Sequence, residues 1–394
     1  MTDGRPVLLA HTLLVQVVTF LLRPATTYRA IELDTPGAWL GALSACFAFA
    51  PLLLALPSGA LADRLGERRM AIAGALLLTA AAVVLAAWGS SVPLLAVGSV
   101  LLGLGHLCGV VAQQTRVANA PALWGSAAGN RPRSGFDTAF GHLTFVASLG
   151  QALGPAVILL FSDGGTVPDT QAIFVAGTAA GGVLVLLSLA FRGTEIHPDA
   201  TAEAGGGLRS LARIPGLPRA LLTSCVVIAA VDISLVYLPA LGVERRIAAS
   251  TVGLLLAVRA VASMTTRLFL GRLTHALGRR RVLVGGTLLA AVALAGTAAP
   301  MPAALLGVLL CLAGLGLGVG QPITMSWLAS SAPPGLRGRA MSLRLVGNRT
   351  GQVVIPTAAG ALAAGTGAAG VLCATAAGLA GVAVAARSLP VDDP

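Results

Sequence analysis

Arg23, His106, Asp232, Arg259, Arg344 and Arg349 each stand deep within a run of apolar residues. One carboxylate set among guanidinium groups can form an ion pair or carry a proton. Because the bases outnumber the acid, the same set can also bind an anion. In a hydrocarbon surrounding each such charge costs roughly 2.5–3.5 kcal/mol before it finds a partner. Four of them approach the whole stability of a typical domain, about 5–15 kcal/mol, so they must be paired or hydrated. Asp232 and Arg259 enter consecutive apolar runs from opposite ends, about 13 and about 8 residues in, and at 1.5 Å per residue they reach similar depths. That spacing predicts a pair between Asp232 and Arg259, or between Asp232 and Arg23 or Arg344 across a cavity. A structural ion pair and a protonatable carboxylate coupled to solute exchange both fit these residues. His106, Gln321, Asn348 and Gln352 are candidate solute contacts. Asn348 lies one helical turn from both Arg344 and Gln352. Hydrogen bonding between helices is the alternative reading of these four.

Several chemistries are excluded. All 26 basic residues are arginine, so no GxxxxGK[ST] phosphate loop and no lysine Schiff base can form. His11, His106, His142, His197 and His275 make no HExxH, and no GxSxG occurs. Cys46, Cys108, Cys225, Cys311 and Cys373 lie singly in apolar runs, without the CxxC spacing of a metal or redox site. No metal and no cofactor is expected. The segment "GLGLGVG", Gly314 to Gly320, imitates a dinucleotide fingerprint, but no strand precedes it and it reads as helix packing.

The elements that must position the charges are membrane spans. The 394 residues are 56% hydrophobic and only 10% charged, too few to coat a soluble fold of this size. The net charge is +11, but the arginines sit between apolar runs, which points to membrane topology and away from nucleic acid. About twelve runs reach the roughly 20 residues that a spanning helix needs: 7–33, 37–58, 69–88, 92–115, 137–161, 171–191, 219–241, 251–270, 282–299, 303–327, 340–364 and 368–386. An even count puts both termini on one side. With that side as cytoplasm, cytoplasmic segments hold 18 arginines and outer loops hold two, Arg245 and Arg246, as the positive-inside rule requires. The expectation is an all-α multi-pass protein of the cell membrane, both termini cytoplasmic. Residues 1–191 and 219–394 form two pseudo-symmetric six-helix bundles, joined by a Gly- and Pro-rich cytoplasmic linker, 192–218.

Internal repetition supports that division. "GALADRLGERR" (Gly59 to Arg69) and "GRLTHALGRRR" (Gly271 to Arg281) align with an offset of 212, matching Gly59 to Gly271 and Gly66 to Gly278. Both fall between the second and third helices of a half, where the two glycines are expected to permit a tight reversal. "GQALGP" (Gly150 to Pro155) similarly echoes "GQVVIP" (Gly351 to Pro356). Gly59-Ala60-Leu61-Ala62-Asp63-Arg64-Leu65-Gly66, followed by Arg68-Arg69, resembles the cytoplasmic loop signature of the major facilitator superfamily. Two departures are Glu67 at a basic position and His275 in place of the second acid. Gly141, Gly150, Gly154 and Pro155 resemble the fifth-helix pattern of its twelve-helix drug–proton antiporters, departing at Ile158-Leu159. The arginine that the family often places four residues before Gly103-Leu104-Gly105 is Ser99 here.

The resemblance implies a secondary-active transporter working by alternating access. It implies peripheral helices 3, 6, 9 and 12, which carry no deep charge, and a central cavity bordered by the others. Gly59, Asp63, Arg64, Gly66, Arg68, Gly271, Gly278 and Arg279 would then form a topology anchor or a charge latch between the halves. The expected partners are a small-molecule substrate, protons and the lipid bilayer. Proton-coupled efflux is the expected activity, with uptake or exchange of an anionic solute as the alternative. A membrane receptor or scaffold without transport is the alternative from another class.

Overall fold

The computed structural model describes residues 4–119, 132–191, 216–331 and 337–389. At 55–64, 118–119, 132–141, 326, 329–331 and 337–342 it describes only the helical backbone. Twelve helices occur among the described residues. They are α1 (Arg5–Glu32), α2 (Gly37–Leu65), α3 (Glu67–Trp88), α4 (Val92–Asn119), α5 (Pro132–Ala156), α6 (Thr170–Leu189), α7 (Leu217–Glu244), α8 (Ala249–Leu277), α9 (Arg279–Gly296), α10 (Ala303–Ser331), α11 (337–366) and α12 (368–386). The last two form one stretch, Arg337–Ala386, broken at Gly367, whose φ of 64° and ψ of −171° are not helical. A 3₁₀ turn, Val157–Phe161, extends α5. Ten described segments are long and apolar enough to cross a bilayer, the last of them, Leu343–Ala386, holding both α11 and α12. Only α9 falls short, because its 18 residues open on three arginines.

The halves share one register. α1 and α7 are both 28 residues long, α2 and α8 both 29, and each pair is offset by the 212 positions of the sequence repeat. Even the turns coincide. After α1 the Thr35 N–H donates to Ala30 O and the Asp34 N–H to Ile31 O. After α7 the Ile247 N–H donates to Gly242 O and the Arg246 N–H to Val243 O. Each is a Schellman cap with a left-handed residue, Asp34 at φ 52° and Arg246 at φ 57°.

The repeated charged segment is not the loop its glycines suggest. α2 runs through Gly59 to Leu65 and α8 through Gly271 to Leu277. Ala and Leu favour the helix, which outweighs one interior glycine at a cost of about 1 kcal/mol. The reversal takes a single residue per half, Gly66 (φ 81°, ψ 157°) and Gly278 (φ 81°, ψ 147°), a conformation open essentially to glycine alone. The two glycines of the second copy should therefore respond in opposite directions. Gly278→Ala is expected to lose about 1–3 kcal/mol of stability. Gly271→Ala, where a Cβ meets nothing within 4 Å, is expected to gain about 0.5–1 kcal/mol. Thermal melting of the purified variants checks both, and equal shifts would contradict the assignment.

Three seams join the halves: α1 on α7, α2 on α11, and α5 on α8. Away from the amino-terminal end these seams are tight. Every residue of Val18–Tyr28 in α1 and of Asp232–Gly242 in α7 is buried. At this distal end Gly41 and Gly360 bring α2 and α11 into backbone contact. The Ala249 N–H donates to Gly165 O at 2.8 Å and the Ser250 N–H to Ser162 Oγ at 3.2 Å. Toward the amino-terminal, proximal end, α8 loosens: after Ser263 only Thr266 is buried. Exposed apolar side chains such as Leu76 on α3, Val175 and Leu186 on α6, Val292 on α9 and Val384 on α12 form the outer, lipid-facing belt.

Candidate functional site

Where α1, α7, α8 and α11 meet, the helices bury an ionic cluster. Arg23 (7% exposed), Asp232 (3%), Arg259 (3%), Arg349 (8%) and Gln352 (6%) all lie out of solvent contact. Arg23 Nη1 donates to Asp232 Oδ1 at 2.6 Å, so the ion pair joins one half to the other. Gln352 Nε2 donates to Asp232 Oδ2 at 2.6 Å, and Arg349 Nη1 donates to Gln352 Oε1 at 3.1 Å. Both carboxylate oxygens are thus held from opposite sides. The Arg23 guanidinium also lies over the Phe47 ring, 4.2 Å from its centroid, a placement that favours a cation. Of the three partners predicted for Asp232, then, Arg23 takes it.

Arg259 and Arg344 do something else. Arg259 is within electrostatic reach of Asp232 and Arg23, yet among the described residues it makes no ion pair or hydrogen bond, and its Nε is buried without an acceptor. Arg344 turns into the second half, where Nη1 donates to Gln321 Oε1 at 2.8 Å and to Ser224 Oγ at 3.3 Å. Ser224 Oγ in turn donates to Asn348 Oδ1 at 2.8 Å. Gln321 and Asn348 therefore belong with Arg344, and Gln352 belongs with Asp232.

His106 faces the first half. Its Nε2 lies 3.4 Å from Gln16 Oε1, its Nδ1 is buried without a partner, and its ring is tilted against Phe47 at 5.7 Å. Gln151 Nε2 reaches the same Gln16 oxygen at 3.5 Å. Beside it a cavity of about 20 Å³ is lined by Arg23, Ser44, Phe47, Ser99 and Leu102, among others, room for about one water. Ser99 stands where the family resemblance expects an arginine, and the guanidinium at this cavity comes from Arg23 on α1.

The sequence features of the loop and of α5 separate in space. Gly59, Asp63 and Arg64 have helical backbone, but their side chains lie outside the described residues, as does that of Gly141. Arg68 Nη2 donates to Leu189 O at 2.8 Å, at the carboxyl end of α6 within its own half, where a cation suits the helix dipole. Arg279 is exposed. Glu67, the departure from the signature, is buried with its carboxylate 3.8 Å from Arg116 of α4. A Cβ on Gly150 would meet Leu13 and Gln16, and one on Gly154 would meet Phe20, so both glycines seat α5 on α1. Pro155 O faces Gly253 across the α5–α8 seam.

Arg349 was read from sequence as a deep charge but not as a partner in the Asp232 cluster, and Gln16, Gln151 and Ser224 were not among the candidates. Gln16 and Gln151 did carry a signal: they are polar amides in apolar runs at helix depth, the mark that identified Gln352.

A family model described as Major Facilitator Superfamily matches residues 8–246 and 220–394. A D-xylose–proton symporter of known structure superposes with a TM-score of 0.76 at 14% identity, over 98% of each chain. A POT family transporter in complex with 5-aminolevulinic acid gives 0.75 at 14% identity, over 97% of this chain and 95% of that one. The nucleoside transporter NupG gives 0.74 at 13%, over 98% and 99%. No curated protein matches the sequence. At these identities the structural likeness speaks for the fold.

Proposed function

The chain belongs to the Major Facilitator Superfamily and is a multi-pass secondary-active transporter, not an enzyme; from this premise we propose that it couples solute movement to protons through Asp232. The observation that carries the proposal is the buried Arg23–Asp232 pair, which bridges the α1–α7 seam at 2.6 Å. Protonation of Asp232 removes its charge and frees Arg23, so the bond between the halves weakens when a proton arrives. The proton named for the D-xylose symporter of the same fold supports this reading. Residues 1–191 and 219–394 act as the two bodies, joined by the 192–218 linker, most of which lies outside the described residues. The proximal end faces the cytoplasm of a cell membrane, on the strength of the arginine distribution.

One observation favours a second, narrower reading. The fifth-helix pattern of Gly150, Gly154 and Pro155 supports the antiporter branch and hence export. Its glycines seat α5 on α1, so direction must be measured. Vesicles containing the protein should move a reporter dye, anionic or cationic, faster under an imposed proton gradient and slower when an ionophore collapses it. Flux indifferent to both treatments would end the proton-coupled reading. A proton gradient that drives dye toward the proximal side would exclude export.

A further inference from the structure

Taking the buried cluster as the transport site, we propose that its cargo is a small oxyanion. Arg259, Arg349 and the Nη2 edge of Arg23 hold it, while the Asp232 carboxylate rests on the neighbouring Nη1 and opposes the anion through its charge.

The charges are unequal. Three guanidinium groups share one carboxylate, and none of the four residues is more than 8% exposed. Buried charge must be compensated, and Arg259, at 3% exposure, has no hydrogen-bonding or ion-pair partner among the described residues. Arg23 Nη2, Arg259 Nε and Arg349 Nε are all buried without acceptors. Arginine donates five N–H groups and accepts none, so only an incoming acceptor satisfies these atoms.

Among the described residues, the side-chain amide oxygens around the cluster are already engaged. The side-chain amide oxygen of Gln352 takes Arg349, that of Gln321 takes Arg344, that of Asn348 takes Ser224, and that of Gln16 takes Gln151 and faces His106. The cargo must therefore bring oxygen atoms of its own, and negative charge with them. A cation would meet a surplus of positive charge, and a neutral polyol would leave that surplus standing. The site already displays its preference, since Asp232 lies with one oxygen on Arg23 and the other on Gln352, each at 2.6 Å. The planar guanidinium fork matches carboxylate and tetrahedral oxyanions alike.

A linkage follows. The groups facing Asp232 are Arg23 from α1, Arg259 from α8, and Arg349 with Gln352 from α11; His106 of α4 lies within the field of Arg23 and Arg349. A charged Asp232 opposes the cargo, and a protonated one does not. Proton and anion therefore strengthen each other's binding, which favours their travelling in the same direction.

The test is thermal melting of the purified full-length chain at constant ionic strength. Benzoate supplies a carboxylate and sulfate a tetrahedral oxyanion; choline and xylose are the cationic and neutral controls. Saturable stabilisation by benzoate or sulfate alone is expected, and which one acts identifies the class of oxyanion. Arg259→Gln and Arg349→Gln should each weaken it about tenfold or more. Asp232→Asn, which withdraws the opposing carboxylate, should bind the anion more tightly than the wild type, whereas His106→Gln should bind it as the wild type does. The proposal is overturned if neither anion stabilises, if choline or xylose does so instead, or if both arginine variants bind as the wild type does. Binding here needs no gradient, so its failure is separable from failure of proton-driven flux.

Discussion

Asp232→Asn is expected to be the most costly single substitution in the cluster, destabilising the protein by about 3–5 kcal/mol and abolishing proton-driven accumulation. Asparagine keeps the shape and one acceptor oxygen but withdraws the one carboxylate that faces Arg23, Arg259 and Arg349. Three buried guanidinium groups are then left with no opposing charge. Arg23→Met should cost less, because Asp232 stays within the field of Arg259 and Arg349 and keeps its bond from Gln352. The double variant Arg23→Met/Asp232→Asn should melt above Asp232→Asn alone, since one unmatched charge leaves with the carboxylate. A double-mutant cycle on melting in detergent measures the coupling directly. An Asp232→Asn protein that melts like the wild type and still accumulates solute under a proton gradient would show that this carboxylate neither neutralises the cluster nor couples it.

What the sequence disclosed about that cluster was depth. Rise per residue places Asp232 and Arg259 at similar depths, and the cost of charge in hydrocarbon forces the deep charges to find partners. It could not disclose azimuth. Successive residues on a helix point about 100° apart, so Arg344 and Arg349, five positions apart, point about 140° apart, and the rotation of α11 decides which of them faces Asp232. That rotation is fixed by contacts between helices: α11 presents Gly351 to Cys225 of α7 and Gly360 to Ala38 of α2. With these contacts made, Arg349 joins Gln352 in the cluster and Arg344 turns to Gln321 and Ser224.

The repeated charged segment shows the same division. Its spacing was visible as a repeat, and the offset of 212 recurs in the helix bounds and in the Schellman caps. Whether its backbone was loop or helix was not visible, because a glycine tolerated inside a helix and a glycine required at a turn are the same letter. Only the φ of 81° at Gly66 and Gly278 tells them apart from Gly59 and Gly271. Glu67 was visible as a departure from a pattern, but its partner Arg116 lies 49 positions away on α4, beyond the reach of local spacing.

Gly41→Val is expected to hold the distal end open and reduce transport by at least about tenfold. A Cβ at Gly41 would strike Pro356 O, with the Gly360 backbone 2.9 Å away, and a Cβ at Gly360 would strike Ala38 O. Here α2 and α11 touch main chain to main chain, and no side-chain rotation can relieve the overlap. The helices must separate, and with them the seam that closes this end. In the separated state nothing opposes the valine, so the energy of the clash becomes a bias between two conformations rather than a loss of fold. A bias of about 2.8 kcal/mol already moves a balanced equilibrium a hundredfold. Ser44, which lines the cavity beside Arg23, serves as the reporter. In a Ser44→Cys background lacking the five native cysteines, Gly41→Val should make the thiol react faster with a membrane-impermeant maleimide added from the distal side. Gly360→Val should do the same from the other helix. Gly285→Ala, where a Cβ meets nothing within 4 Å, should leave both labelling and transport unchanged. If Gly41→Val transports normally and its thiol stays protected, then α2 and α11 do not form the closure at the distal end.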